Sequence, residues 1–386
     1  MKKIWILVCI SCLLLIGCGK ESKNDAMEKV DFIVEVEEGR EPIVLQLTDT
    51  QIIDSAQSRS EQRISSLLAK KWETDQVEEL AYDYIKETIE KTHPDLILLT
   101  GDIVYGEFDD SGRVWESFVE FMDSFGIPWA PVFGNHDNES KKGVDWQCEV
   151  LENAENCLFV QRELTGNGNY TVGISQGGEL KRVFFMLDSN GCGNVSAESE
   201  ANGHTVSSIG FGRDQMVWYT EVAEEIREAS PDTKFTFAFH IQLAAFADAY
   251  EQYGFKNGSA SKNPINIDEL PNKKDGDFGY LGQDFAVWDD QYIVWNSFKE
   301  LGVDSVLVGH EHCNSASVVY EGIRCQFGQK STEYDQTNYK SGNKIIGSSH
   351  EELPPLVGGT VFPLSEEDGS IVDPYIYLCG AAGLNK

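Results

Sequence analysis

Leu307-Val308-Gly309-His310-Glu311-His312 closes a run, residues 303–308, that reads as a buried strand after the break at Gly302. The strand runs into Gly309, where a missing side chain permits a sharp turn. Two histidines follow, one residue apart. At a strand end that spacing can aim two imidazoles at one small volume, though not from one shared face. Imidazole is the commonest neutral ligand for Zn, Fe, Mn or Ni. By itself the stretch also fits a polar turn with two exposed histidines.

Four other apolar runs end in the same way. Asp49-Thr50-Gln51 follows residues 43–47, and Gly101-Asp102 follows residues 96–99. Gly134-Asn135-His136-Asp137 follows residues 130–133, and His240 follows residues 235–239. The chain has seven histidines, and four of them stand at these strand ends, which favours a metal site over a set of polar turns. In this order the blocks resemble the calcineurin-like metallophosphoesterases, whose signature runs D-x-H, G-D, G-N-H-D/E, a lone His, then G-H-x-H. The resemblance covers about residues 43–327.

That resemblance implies an α/β fold of two mixed β-sheets packed face to face with flanking helices, a four-layer α/β/β/α metallophosphoesterase sandwich. It implies two transition-metal ions, Mn, Fe or Zn. Asp49, Gln51, Asp102 and His312 would hold the first, and Asp102 as bridge, Asn135, His240 and His310 the second. Two cations so placed bind phosphoryl oxygens and lower the pKa of a shared water. The implied reaction is hydrolysis of a phosphate-ester small molecule, monoester or diester, with a metal-bridging hydroxide as nucleophile. His136 would protonate the leaving oxygen, oriented by Asp137. Asn190, after the strand ending at Asp188, would either contact substrate or cap a turn. The overall pattern is similar to secreted phosphatases of a divergent, plant-like purple-acid-phosphatase branch.

Gln51 departs from the signature, which has His there. An amide oxygen ligates more weakly and is a harder donor, so the first site is expected to favour Mn or Fe over Zn. The same Asp-x-Gln variant occurs in the branch resembling Mn-dependent ADP-ribose and CDP-alcohol pyrophosphatases. Two alternatives therefore stand beside the monoesterase or diesterase: a pyrophosphatase of nucleotide-diphosphate compounds, and a non-catalytic surface lipoprotein that binds a phosphorylated ligand.

The start of the chain carries its own grammar. Lys2 and Lys3, an apolar run over residues 4–16, then Gly17 and Cys18 read as a lipoprotein signal peptide of residues 1–17, with Cys18 lipidated. The expected product is exported and lipid-anchored to a bacterial membrane, facing the periplasm or the exterior. A flexible tether over residues 18–30 then leads into a single domain, residues 31–386, with an insertion at residues 253–288 that could shape the substrate pocket. The net charge of the 386 residues is −33, so the surface repels nucleic acid, none is expected as a partner, and the positive field at a phosphate site must come from metal. Cys148, Cys157, Cys192, Cys313, Cys325 and Cys379 leave disulfides open. Cys148–Cys157 and Cys313–Cys325 are the local choices, and free buried thiols are the alternative. Alternating strand and helix periods over residues 43–133 predict βαβ units and a largely parallel sheet in that half.

Overall fold

The computed structural model describes residues 25–57, 76–191, 210–285, 291–334, 337–341, 344–347 and 353–380. Cys18, Cys192, His204 and His350 lie outside them, as does most of the expected tether. Residues 25–30 are described and do not behave as a tether, because Ala26 and Val30 are buried in a hydrophobic cluster.

Two mixed sheets carry the fold. The smaller runs Tyr375–Leu378, Gly358–Pro363, Ile43–Leu47, Leu96–Thr100, Trp129–Val132. Its last three strands are parallel, as two consecutive βαβ crossovers require. The larger has nine strands in the order Phe32–Val36, Tyr170–Gln176, Glu179–Met186, Lys234–Ala238, Ser305–Val308, Ile323–Phe327, Asn314–Tyr320, Phe278–Leu281, Ile265–Asn266. Asn338–Ser341, Lys344–Gly347 and Pro355–Leu356 form a third, three-stranded sheet.

Period-two alternation decides what each face of the large sheet covers. Phe184 and Met186 join the cluster shared with Leu45, Leu98 and Trp129 of the smaller sheet. Their neighbours Val183, Phe185 and Leu187 join the cluster on the other face, with Tyr219, Tyr250 and Phe298 of the helices Arg213–Ala229, Ala245–Glu251 and Gln291–Glu300. The helices Gln76–Thr92 and Arg113–Asp123 pack on the smaller sheet through Ala81, Ile85 and Ile89, and through Trp115, Phe118 and Met122, each set at helical spacing. Each such large side chain contributes about 1.5–3 kcal/mol by leaving water. Helices, sheet, sheet and helices thus stack in the expected order.

Polar ties fix the sheets relative to each other near one end. Gln46 Nε2 donates to Thr100 Oγ1 at 2.9 Å and to the Val308 carbonyl of the large sheet at 3.1 Å. The Tyr170 hydroxyl donates to the Pro131 carbonyl across the core at 2.6 Å.

The structure adds three points to the sequence reading. Within the stretch 253–288, Phe278–Leu281 adds to the large sheet antiparallel to Asn314–Tyr320, and Ile265–Asn266 pairs antiparallel with Phe278–Leu281 at the sheet's edge. The end of the stretch then braces the histidine turn, where Cys313 N donates to Gln283 Oε1 at 3.0 Å. Beyond residue 327 the chain returns as Gly358–Pro363 and pairs with Ile43–Leu47, completing the smaller sheet. Finally, Cys148, Cys157, Cys313, Cys325 and Cys379 are free thiols, so neither local disulfide forms. A core of this size does not depend on staples.

Candidate metal centre

Five strands from the two sheets point their C-terminal ends to one edge of the sandwich. Ile43–Leu47 delivers Asp49, Leu96–Thr100 delivers Asp102, and Trp129–Val132 delivers Asn135 and His136. Lys234–Ala238 delivers His240, and Ser305–Val308 delivers His310 and His312. The turns are tight: Asp49, Gln51, Asp102 and His310 all adopt left-handed backbone, at φ 51°, 43°, 52° and 73°. Such residues cost roughly 1–3 kcal/mol each and persist where the surrounding fold over-determines them. The motif glycines are spacers. A Cβ on Gly134 would lie 2.2 Å from Asp102 Oδ1, and one on Gly309 would lie 2.1 Å from Thr48 Oγ1.

Ligand atoms converge in two groups, Asp102 with His240 and His310, and Asp49 with Asp102 and His312. Within each group they lie within 4.8 Å of one another. Asp102 belongs to both. The His240 ring is oriented by its Nδ1, 2.8 Å from the Thr100 carbonyl. That bond leaves Nε2 facing Asn135 Oδ1 at 3.1 Å and Asp102 Oδ2 at 3.3 Å. Asp49 is held from the other side, by the Thr48 hydroxyl at 2.8 Å and by His310 N at 3.1 Å, with His312 Nε2 at 3.5 Å.

Electrostatics agree with this packing of charge. Burial works to raise the Asp102 and Asp49 carboxyls, but the surrounding imidazoles hold both below the ordinary range. His310 is pushed down to about 3 by burial and by His240. Two buried carboxylates, three imidazoles and an amide oxygen offer the N and O donors that suit Mn, Fe or Zn. The donor set is fuller on the His240 side, where Asn135 Oδ1 joins Asp102, His240 and His310.

Gln51, expected as a fourth ligand of the first metal, is placed differently. Lys330, itself buried, donates from Nζ to Gln51 Oε1 at 2.7 Å and to the Asp49 carbonyl at 2.8 Å. An ammonium only donates, so the amide atom facing it is the oxygen. The amide nitrogen is left 3.5 Å from Asp102 Oδ2. Lys330 was missed from sequence; the available signal was a lysine shortly after the buried strand Ile323–Phe327.

Asp137 does not orient the His136 ring. Its carboxylate is buried and accepts from Gly134 N at 2.7 Å and Val104 N at 3.0 Å, so it shapes the loop that carries Asn135. Burial and Asp102 raise it to about 7. Glu139, one helical turn further on, is the ring's partner, with Oε2 3.0 Å from His136 Nδ1. The other face of the ring stacks on Tyr105, centroids 4.1 Å apart. Burial lowers the His136 pKa, but Asp102 and Glu139 outweigh it and raise the group to about 9. Asn190 is engaged as a turn cap: its N donates to Asp188 Oδ1 and its Nδ2 to the Gly210 carbonyl, both at 2.8 Å.

Comparison with known proteins follows this geometry. The family model for calcineurin-like phosphoesterases matches residues 43–314. Phosphatase DCR2 of Saccharomyces cerevisiae is 24% identical over 245 residues, 60% of this chain and 38% of that protein. "Probable inactive purple acid phosphatase 29" of Arabidopsis thaliana is 23% identical over 267 residues, covering 64% and 61% of the two chains. The matched segments thus span less than two thirds of these relatives' own length. A dimetal phosphatase from Danio rerio superposes with a TM-score of 0.45 at 12% identity, over 82% of this chain and 98% of that one. From the matched strand ends and the extent of the family model, the chain belongs to the calcineurin-like phosphoesterase family.

Proposed function

We propose that the chain is a two-metal hydrolase of phosphoric esters, acting on small-molecule monoesters or diesters. The observation that carries this reading is the sharing of buried Asp102 between two carboxylate–histidine groups. Asp102, Asn135, His240 and His310 would hold one ion, and Asp49, Asp102 and His312 the other. Bound there, the ions would supply positive charge to the phosphoryl oxygens and lower the pKa of a water between them. The chain's own contribution is His136. Its backbone N–H binds Asp102 Oδ1 at 2.8 Å, its Nδ1 is fixed by Glu139, and its Nε2 is the atom that would protonate the departing oxygen.

An aryl-phosphate assay of a soluble form starting after Lys20, with added Mn, Fe or Zn, tests this beside metal content by mass spectrometry. Turnover with about two metals per chain, both lost in Asp102→Asn, is the expected result. No turnover under any supplement overturns it.

A second reading is favoured by one finding, the "probable inactive" name carried by the plant relative, together with the engagement of Gln51 by Lys330. It is a surface protein that binds a phosphorylated ligand without turning it over. Saturable binding of the aryl phosphate without product would favour it. Cleavage of ADP-ribose in preference to aryl phosphate would instead favour a pyrophosphatase. Lipid attachment at Cys18 is a separate proposal that rests on the leader sequence alone. Mass spectrometry of the membrane fraction tests it, and an unmodified Cys18 in the mature chain overturns it.

A further inference from the structure

The buried lysine beside the first metal group has no place in the mechanism above. We infer that Lys330 is a built-in cation that holds Gln51 out of the first metal's coordination shell. The centre then binds its ions unequally, tightly at Asp102–Asn135–His240–His310 and loosely at Asp49–Asp102–His312. This deepens the two-metal reading and rests on it.

Three observations carry the inference. The first is the orientation of the amide. Nζ of Lys330 takes Gln51 Oε1 at 2.7 Å, so the atom turned toward Asp102 is Nε2, whose lone pair is delocalised into the amide and does not ligate. The second is rigidity. Lys330 is 1% exposed, and its backbone is fastened on both sides: Gly358 N donates to the Lys330 carbonyl at 3.0 Å, and Ser331 N to the Thr48 carbonyl at 3.0 Å. Thr332 Oγ1 continues the tie to the Thr50 carbonyl at 2.8 Å. These bonds seat the lysine against the turn that carries Asp49 and Gln51. The third is the count of ligands. Four side chains converge on the His240 side and three on the Asp49 side, where a positive group also offsets part of the carboxylate charge that attracts a metal.

Lys330 is therefore a positioning residue, and it sets the affinity of the first site rather than the chemistry. The second ion is expected to stay through purification, while the first exchanges with supply.

The test is a titration of the metal-stripped chain with Mn²⁺ alone, by calorimetry and by metal analysis after gel filtration. Wild type is expected to fill in two steps, with dissociation constants separated by about tenfold or more, since neighbouring groups shift metal affinity by about 10–100-fold. His312→Ala is expected to abolish the weak step only. In Lys330→Met the amide is released and the charge removed, so the weak step should tighten by about tenfold. Circular dichroism establishes whether that variant folds. Should it not fold, Gln51→Leu decides: an amide that is not a ligand leaves the weak step within about threefold of wild type. Loss of the weak step in Gln51→Leu by about tenfold or more overturns the inference, as do two equal steps in wild type. Absence of any Mn²⁺ binding in wild type overturns the two-metal reading itself, which keeps the two failures distinct.

Discussion

On the His240 side of the metal centre, side chains from four strand ends meet; His240 is fixed by Nδ1 on the Thr100 carbonyl and Asp102 by the His136 N–H. On the Asp49 side the same kind of turn brings Asp49 and His312 together, but the third contributor, Gln51, is turned to Lys330. Both sides share Asp102 and comparable burial. The difference is one residue, Lys330, arriving from the segment after Ile323–Phe327, outside the motif. A residue at a signature position can thus turn its ligand atom elsewhere.

The shared residue gives the largest predicted effect. Asp102→Asn should empty both sides and lower aryl-phosphate turnover on the order of 10⁴-fold, since charge stabilisation by the ions is worth several kcal/mol. Metal analysis of the same sample reads the loss directly, and retention of both ions would break the picture of a common carboxylate. His136→Asn should cost roughly 10²–10⁴-fold in turnover while metal content stays at wild-type level. A parallel fall in bound metal would show that this residue belongs to the centre and not to proton transfer.

The two sides are compared directly by His240→Ala and His312→Ala. The first should reduce turnover about tenfold more than the second, because it dismantles the side with the fuller ligand set. Equal losses would argue for a symmetric centre.

Titration sharpens the placement of His136 beside the centre. In metal-stripped protein its imidazole is raised to about 9, with burial opposed by Asp102 and Glu139. A raised folded pKa stabilises the fold below the ordinary value of 6.5, and that contribution is lost as pH rises through about 9. NMR titration of the ring should show this midpoint, and Glu139→Gln should move it toward 6.5. An unchanged midpoint would remove Glu139 as the ring's partner.

The smallest effect concerns the loop that leaves Gln51. Arg113 pairs with Asp54 at 2.6 Å and with Glu78 at 2.7 Å, and both carboxyls are lowered, burial being outweighed by the guanidinium. Their contribution is full above the ordinary values of 3.8 and 4.5 and is lost as pH falls through the lowered folded values. The guanidinium is partly in water, so Arg113→Ala should cost roughly 1 kcal/mol or less at neutral pH, read by denaturant unfolding. A large loss of the first metal in that variant would mean that this loop, and not Lys330, governs the weak side.

Much of the centre was legible because it is local. A buried strand followed at once by Asp49, Asp102, Asn135, His240 or His310 announces its own geometry, since strand direction fixes where the next residue emerges. Glycine-interrupted and short strands were harder to read: Phe278–Leu281 contains Gly279, and Ile265–Asn266 has only two residues. Asp137 was the nearer carboxylate in sequence, yet the 3₁₀ turn Asp137–Glu139 carries its side chain inward and brings Glu139 back to the ring.

The amino-acid sequence by itself determined the α/β class, the ordered strand ends and the identities of the residues that meet at Asp102. Periodicity and turn chemistry are short-range properties, written within a few residues. Only the tertiary structure decided that Gly358–Pro363 closes the smaller sheet, that the cysteines among the described residues stay free, and that Lys330 reaches Gln51. Those outcomes depend on which distant segments the sheets bring into contact, and a hydrogen bond across 279 residues leaves no periodic trace in the chain.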